Sequence, residues 1–278
     1  MGMQINTNIA ANNSYRNLTA TQNDMSKSLE KLSSGLRINR AADDAAGLAI
    51  SEGLKSQVGG LTVASRNAQD GISVIQTAEG SLNEVTSILQ RMRDLAVQGG
   101  NDSNSTESRI AIQTEANALG QELDRIAQGT QFNGTDLLKG STMTFQVGAG
   151  ATDNDKIVVT NADVATAVGT LGGATGATGF AVTDNATAQT TITAIDAAIT
   201  AISTQRADLG AVQNRFESVI KNLAVAKENL SAAGSRIRDT DMAEEMVKFT
   251  RSNILSQAGT AMLAQANQSN QGVLQLLR

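Results

Sequence analysis

Residues 192–237 read ITAIDAAITAISTQRADLGAVQNRFESVIKNLAVAKENLSAAGSRI, and this stretch decides the fold. Apolar and small residues recur in it at steps of three and four, with one step of seven where Arg206 takes the skipped position. A 3.5-residue repeat held over 46 residues is typical of a coiled-coil seam and predicts a helix of roughly 70 Å. The repeat consists of Ile192, Ile195, Ile199, Ile202, Leu209, Val212, Phe216, Val219, Leu223, Ala226, Leu230, Ala233 and Ile237.

The N-terminal half supplies two helices that can pack against this one. The first is predicted to end at Gly99-Gly100-Asn101 with a left-handed cap, and the second is predicted to stop at Gly129. Three helices with matching seams predict a shared core, arranged as a three-helix rod. The first seam consists of Val58, Leu61, Ala68, Ile72, Ile75, Leu82, Leu89 and Ala96, and the second of Ile112, Ala116, Leu119, Leu123 and Ile126.

Two further helical arms lie at the chain ends. Asp241 followed by Glu244 resembles a capping box at the start of the last arm. Small, charged hinges at residues 40–47 and 235–240 join the arms to the rod, so we expect an N-terminal arm, 1–43, to pair with a C-terminal arm, 236–278, outside a rod domain of residues 44–235. The predicted arm seams are Leu18, Met25, Leu29, Leu32 and Leu36, and Met242, Met246, Phe249, Leu255, Ala258, Met262, Ala266, Val273 and Leu277.

The arms are rich in Asn, Gln, Ser and Thr, as in residues 265–271. Two such helices bury little apolar area against an ordering cost of about 1.5 kcal/mol per residue. We therefore expect the arms to be disordered in an isolated chain and to order against other copies. The alternative from pattern alone is that they are the frayed ends of a monomeric bundle.

The middle of the chain, residues 141–191, differs from both halves. Short β-like runs occur at 143–147, 156–160 and 179–183, and they predict one or two small hairpins packed on the bundle. For residues 161–178 a disordered surface loop is the alternative. The sequence thus predicts a mainly α fold, a long coiled-coil-like helical bundle with a small β-hairpin region in its middle.

Composition excludes several classes of function. The chain contains no His, Cys, Pro or Trp, so no zinc-hydrolase, Cys-His or Ser-His-Asp site is possible, and we expect neither an enzyme nor a cofactor. Asp43 and Asp44 could bind a cation, but before a helix they are more typical of residues that favour its positive N-terminal dipole.

The chain's charge and hydropathy bear on its partners and its location. A net charge of −5 disfavours nucleic acid and anionic membranes as partners, and no apolar run is long enough to span a membrane. Met1–Asn8 has neither the basic nor the apolar region of a secretory signal peptide.

Residues 90–98 carry a second patterned face in addition to the residues of the seam. Leu89 and Ala96 belong to the seam, whereas Leu95 and Arg91 lie on a neighbouring flank together with Ile88, Glu84 and Gln98. An apolar pair bordered by charge and amide is either a second packing face within the bundle or an exposed contact for another chain.

Several long motifs, in order and at the correct ends, strongly resemble bacterial flagellin. Only residues 140–190 are unmatched, which is where flagellins vary, and Asp94 stands where many members have Glu. The matching segments are Ile5–Asn8, Leu29–Asn39, Ala41–Ile50, Gln90–Gln98, Thr130–Gly134 and Val273–Arg278.

The resemblance implies an extracellular structural subunit that assembles with itself into the helical flagellar filament. Family members leave the cell unfolded through the flagellar type III apparatus, bind an export chaperone at the C-terminal arm, and meet hook-associated and cap proteins. Their paired terminal helices form the inner tube. By this resemblance, the inner-tube residues are Leu29, Leu32, Leu36, Met262, Leu274, Leu276 and Leu277.

The resemblance also implies recognition by innate immune receptors. Arg91, Leu95 and Glu115 match the positions through which many flagellins are recognised by toll-like receptor 5, and Gln90 and Gln98 flank them. This favours a flank exposed on the free monomer and buried between subunits in the filament. Two other classes are alternatives: a hook–filament junction protein, which shares the arms and the export route, and a coiled-coil adaptor or chaperone unrelated to motility.

Overall fold

The computed structural model describes residues 8–173 and 176–276, with the backbone alone for 269–276. Long helices dominate the described chain, as the heptad patterns predict. They are α1 (Ile9–Ser34), α2 (Ala45–Gly99), α3 (Thr106–Gly129), the short α4 (Val164–Val168), α5 (Asn185–Arg238) and α6 (Met242–Leu276).

Two small antiparallel hairpins follow α3. In the first, β1 (Gln131–Phe132) pairs with β2 (Thr135–Asp136) through a turn in which Asn133 and Gly134 have positive φ. In the second, β3 (Thr142–Gln146) pairs with β4 (Lys156–Thr160), which confirms the hairpin predicted from residues 143–147 and 156–160. The fold class predicted from the sequence is confirmed.

The chain forms two compact units. The central unit is Gly59–Lys227, and the terminal unit combines the chain up to Val58 with the chain from Glu228 onward. Both divisions fall within α2 and α5 rather than at the hinges, because each of these helices contributes residues to both units.

The central unit has a continuous hydrophobic core that uses the predicted seams of α2, α3 and α5. Phe216 is fully buried and meets Phe145 of β3 edge to face, with ring centroids 5.5 Å apart. Arg206, at the skipped seam position, pairs with Glu79 at 3.7 Å. Buried seam residues include Ala68, Ile75, Leu82, Leu89, Ala96, Ala116, Leu123, Ile195, Ile202, Leu209 and Phe216.

The end of α2 corrects one prediction. The helix stops at Gly99 as expected, but the left-handed cap is wrong, because Gly100 is not among the described glycines with positive φ. The two glycines instead allow a close approach: a Cβ on Gly99 would lie 2.7 Å from Val182, and one on Gly100 would lie 3.0 Å from Ala188.

The predicted third β-run, residues 179–183, is also wrong. The main-chain groups of Ala181 are satisfied by the Thr191 hydroxyl of α5, which accepts from the amide at 3.2 Å and donates to the carbonyl at 2.8 Å. Residues 164–171 form α4 and a 3₁₀ turn, and Val164, Val168 and Leu171 are buried, so this part is packed rather than a disordered loop.

In the terminal unit α1 and α6 run antiparallel. Asn8 Nδ2 donates to the Ala266 carbonyl at 2.9 Å, and the Thr240 amide donates to the Gly35 carbonyl at 3.1 Å. Gly35, at φ 73°, ends α1 in the left-handed conformation, and Leu36 forms an antiparallel bridge with Asp239.

Candidate assembly surface

The seam between α1 and α6 consists largely of small and polar residues. Leu18 is the one buried apolar side chain among the described side chains of these two helices. A Cβ placed on Gly259 would lie 3.7 Å from Leu18 Cβ, so the helices approach closely at this point. The least exposed positions follow a heptad on each helix: Ala11, Ser14, Leu18, Thr21, Met25, Ser28 and Leu32, facing Glu245, Phe249, Ser252, Ser256, Gly259, Leu263 and Ala266.

The large apolar residues of α6 lie mostly outside this seam. Phe249 and Ala266 are in the seam as predicted, but Met242, Met246, Leu255, Ala258 and Met262 are exposed, so their assignment to it is wrong. The physical reason is that closely packed helices need small residues at the contact, which displaces large side chains to other faces. Val273, Leu274, Leu276 and Leu277 lie outside the described side chains.

We call the exposed apolar side chains of α6 the outer stripe. Ile254 is 61% exposed and Met262 is 62% exposed, values unusual for large apolar side chains that recur along one helix. The stripe consists of Met242, Met246, Val247, Ile254, Leu255 and Met262.

Helix α1 shows the same division. Leu18, Met25 and Leu32 face α6 as predicted, and Leu36 is half-buried beyond the helix end. Leu29, however, is 57% exposed while its neighbour Ser28 is buried, so its predicted place in the intramolecular seam is wrong.

The first hinge is organised by its two aspartates. Asp44 Oδ1 accepts from the Gly47 amide at 2.8 Å and caps the start of α2. Asp43 Oδ2 accepts from the amides of Arg40 and Asn39 at 3.0 and 3.1 Å, and these bonds lower the pKa of its carboxyl from the ordinary value. Neither belongs to a metal-binding cluster, since the described residues contain no group of three or more His, Cys, Asp or Glu suited to a metal ion.

The predicted recognition flank is only partly exposed. Arg91 Nε and Nη2 donate to Glu115 Oε1 at 2.8 and 2.6 Å, and both side chains are open to solvent, as are Gln90 and Gln98. Leu95 is 1% exposed, so its predicted exposure on the monomer is wrong. It belongs to a second flank of α2 that packs into the central core, the alternative that the pattern also allowed.

Comparison with known proteins decides the family. The model of the bacterial flagellin N-terminal helical region matches residues 5–143, and that of the C-terminal helical region matches residues 192–277. The chain belongs to the bacterial flagellins. A flagellin of Halalkalibacterium halodurans is 54% identical to this flagellin over 278 residues, covering 99% of the chain and 100% of that relative.

Other relatives agree with this assignment. A flagellin of Bacillus subtilis is 49% identical over 306 residues, and the flagellar filament 33 kDa core protein of Treponema phagedenis is 47% identical over 289 residues; each match covers 99% of the chain and 100% of the relative. This flagellin is therefore a structural subunit of the flagellar filament, and neither a junction protein nor an adaptor needs to be invoked.

Solved structures share the fold. The crystal structure of Bacillus cereus flagellin is 30% identical with a TM-score of 0.50, covering 61% of this chain and 94% of that one. A putative flagellar hook-associated protein from Vibrio parahaemolyticus, 14% identical with a TM-score of 0.57, covers 71% of this chain and 100% of that one, and it shows a shared fold alone.

Two features of the flagellin were not found from its sequence. Glu245 is a buried carboxylate in the α1–α6 seam, 3.7 Å from Lys248, and only a correct heptad phase could have placed it there. The hinge contacts of Arg37 with α5 join residues 200 positions apart, for which one sequence gives no signal. Among the described residues, no helix is both long and apolar enough to cross a membrane.

Proposed function

We propose that copies of this flagellin assemble mainly through the outer stripe of α6 and the exposed face of α1, with the two arms forming the inner contact layer of the filament. The observation that carries the proposal is the position of the large apolar side chains on α6. They are exposed rather than packed against α1, as Ile254 and Leu255 are, so the pairing of the arms leaves them uncovered in the described chain.

The arms of residues 1–43 and 236–278 are proposed to order only in the polymer, outside a rod domain of residues 44–235. In the described part of the arm pair Leu18 and Ile38 are the buried apolar side chains, whereas the central unit has a large apolar core. Burial of about 25 cal/mol per Å² then does little to offset the ordering entropy of the arms. Neighbouring copies that cover the outer stripe supply the missing burial.

The first test is seeded polymerisation of the purified chain, followed by electron microscopy. Wild type should form long filaments, and removal of residues 1–40 or 241–278 should abolish them while circular dichroism shows that the central unit stays folded. Stable monomers or small closed oligomers of the wild type would contradict self-assembly, and polymerisation of either truncated chain would contradict the role of the arms.

The outer stripe has a matched test. Ile254→Ser removes an exposed isoleucine from the stripe, and Ile110→Ser removes one of equal exposure, 60%, from α3. We expect the first substitution to raise the critical concentration for polymerisation at least tenfold and the second to change it much less. Equal effects of the two would remove the stripe from the assembly surface.

Export and partners follow from the same surface. An exposed apolar stripe needs a cover before assembly, which supports an export chaperone on the C-terminal arm and delivery in an unfolded state through the flagellar type III apparatus. Hook-associated and cap proteins would then meet the same arms at the filament ends. Synthesis with and without a chaperone of this kind, with filament yield measured outside the cell, tests this part of the proposal.

A second candidate function is recognition of the monomer by toll-like receptor 5. The exposed Arg91–Glu115 pair, bordered by Gln90 and Gln98, supports it, whereas the buried Leu95 cannot take part without local opening. Arg91→Ala should weaken receptor signalling, and Arg125→Ala, which removes a similarly exposed pair with Glu122, should not. Equal signalling by the two variants would remove Arg91 from the contact.

A further inference from the structure

The end of α5 lacks the glycine or proline that commonly ends a helix. Residues 235–241 contain neither glycine nor proline, and α6 begins after only Asp239, Thr240 and Asp241. The start of α6 is encoded locally, because Asp241 Oδ1 accepts from the amides of Ala243 and Glu244 at 2.9 and 3.2 Å. At the end of α5, Arg236 and Arg238 favour the helix dipole, but neither residue is a glycine or proline that would stop the helix.

The groups that a continuing helix would use form hydrogen bonds with Gly35 and Arg37, which follow α1. An unbroken helix would need the Thr240 amide for Arg236, but that amide donates to the Gly35 carbonyl at 3.1 Å. The carbonyls of Ile237 and Arg238 would accept from Asp241 and Met242 in an unbroken helix.

Arg37 donates hydrogen bonds to both of these carbonyls. Its Nη2 and Nε donate to the Ile237 carbonyl at 2.6 and 3.2 Å, and its amide donates to the Arg238 carbonyl at 2.6 Å. A guanidinium at a helix C-terminus also interacts favourably with the helix dipole.

We propose that Arg37 is the stop of α5, a positioning residue that separates α5 from α6 and thereby sets the rotational phase of α6. Each helical residue turns the chain by about 100°, so merging α5 and α6 would rotate the faces of α6 relative to the end of α5. The small and polar residues of the α6 seam would then no longer face α1, and the outer stripe would point in a different direction. The direction in which the outer stripe of α6 points thus depends on Arg37, near the other end of the chain.

The effect on assembly rests on the proposed function, whereas the stop itself does not. The two are separated by copolymerising isotopically labelled full-length variants with excess wild type and measuring hydrogen exchange of the Asp241 amide. Arg37→Ala removes the side-chain bonds to the Ile237 carbonyl and keeps the main-chain bond of residue 37 to the Arg238 carbonyl. The Asp241 amide then gains a helical acceptor in Ile237, so we expect its exchange to be at least tenfold slower than in labelled wild type. Loss of a merely stabilising contact would make exchange faster, so a faster or unchanged rate overturns the proposal.

Two further variants complete the design. Arg40→Ala removes the exposed pair with Glu30 on the same hinge without touching α5, and it should exchange like wild type. Arg37→Lys keeps the charge but not the forked donor, so a full return to the wild-type rate would reduce the role of Arg37 to electrostatics and overturn the stop.

A failure of the variant or of wild type to assemble also bears on the proposal. The positioning role is supported if Arg37→Ala is excluded from a polymer that accepts Arg40→Ala. The free energy of unfolding of the central unit should be the same in both variants. If wild type itself does not polymerise, the proposed function fails, and with it the expected disorder of the arms in the monomer. The same exchange comparison is then made on the monomers, where equal exchange of Arg37→Ala and wild type overturns the stop.

Discussion

Helices α5 and α6 are consecutive and both carry apolar residues at helical spacing, yet they place those residues in opposite environments. On α5, Ile195, Ile202 and Phe216 are fully buried in the central core. On α6, Ile254 and Met262 are more than 60% exposed, and the residues that face α1 are mostly small or polar.

The difference lies in the partners available within one chain. Helix α5 packs with α2 and α3, whose seams are also apolar, whereas α6 pairs with α1 in the described chain, and the seam of α1 includes Ala11, Ser14, Thr21 and Ser28. Apolar residues at helical spacing therefore indicate a helix face that becomes buried. The spacing does not show whether another helix of the same chain or a second copy covers that face.

The largest expected effect is on the α5 side of this comparison. Phe216→Ala should lower the free energy of unfolding of the central unit by about 3–5 kcal/mol, because it leaves a cavity beside Phe145. Denaturant unfolding followed by circular dichroism measures the change. A loss below about 1 kcal/mol would mean that the core of the central unit is not packed as described.

A glycine pair tests the close approach of the middle segment to α3. A Cβ on Gly120 would lie 2.6 Å from the Ala177 amide nitrogen and 2.8 Å from the Leu171 carbonyl oxygen, so Gly120→Ala should destabilise the central unit by about 1–3 kcal/mol. Gly80→Ala, with no heavy atom within 4 Å, should stabilise it by about 0.5–1 kcal/mol. Thermal unfolding measures both, and equal signs would refute the packing of Leu171 and Ala177 against Gly120.

A pair on α1 sharpens the distinction between inner and outer faces. Leu29→Ser alters an exposed side chain and should change monomer stability by less than about 0.5 kcal/mol while weakening polymerisation. Leu18→Ser alters the buried seam, so it should reduce pairing of the arms in the filament, measured by proteolysis of the polymer. If Leu29→Ser filaments form like wild type, the exposed face of α1 is not an assembly surface.

The smallest expected effect concerns acid. The folded-state pKa of Asp43 is lowered by the amides of Arg40 and Asn39, so its stabilisation of the hinge is complete above the unfolded pKa of about 4 and is lost as pH falls through the folded value. Asp43→Asn should therefore flatten the acid limb of filament stability below about pH 4. Turbidity against pH measures it, with Asp24→Asn of α1 as control, and superimposed curves for wild type and Asp43→Asn would contradict the prediction.

Much of the fold could be predicted because its signals are local. The heptads of α2, α3 and α5, the stop at Gly129 and the strands around residues 143–147 and 156–160 depend on neighbours a few positions apart. The prediction of a β-strand at 179–183 was wrong because the Thr191 side chain of α5 forms the hydrogen bonds of the main chain at Ala181.

The sequence by itself determined the helices, the paired arms and the family, since periodicity, caps and ordered motifs are properties of short segments. Only the tertiary structure decided which face of α6 meets α1, that Leu95 lies in the core, and that Arg37 reaches the end of α5. The physical reason is that a helix repeats every 3.6 residues whatever surrounds it, whereas burial depends on contacts between segments as much as 258 residues apart.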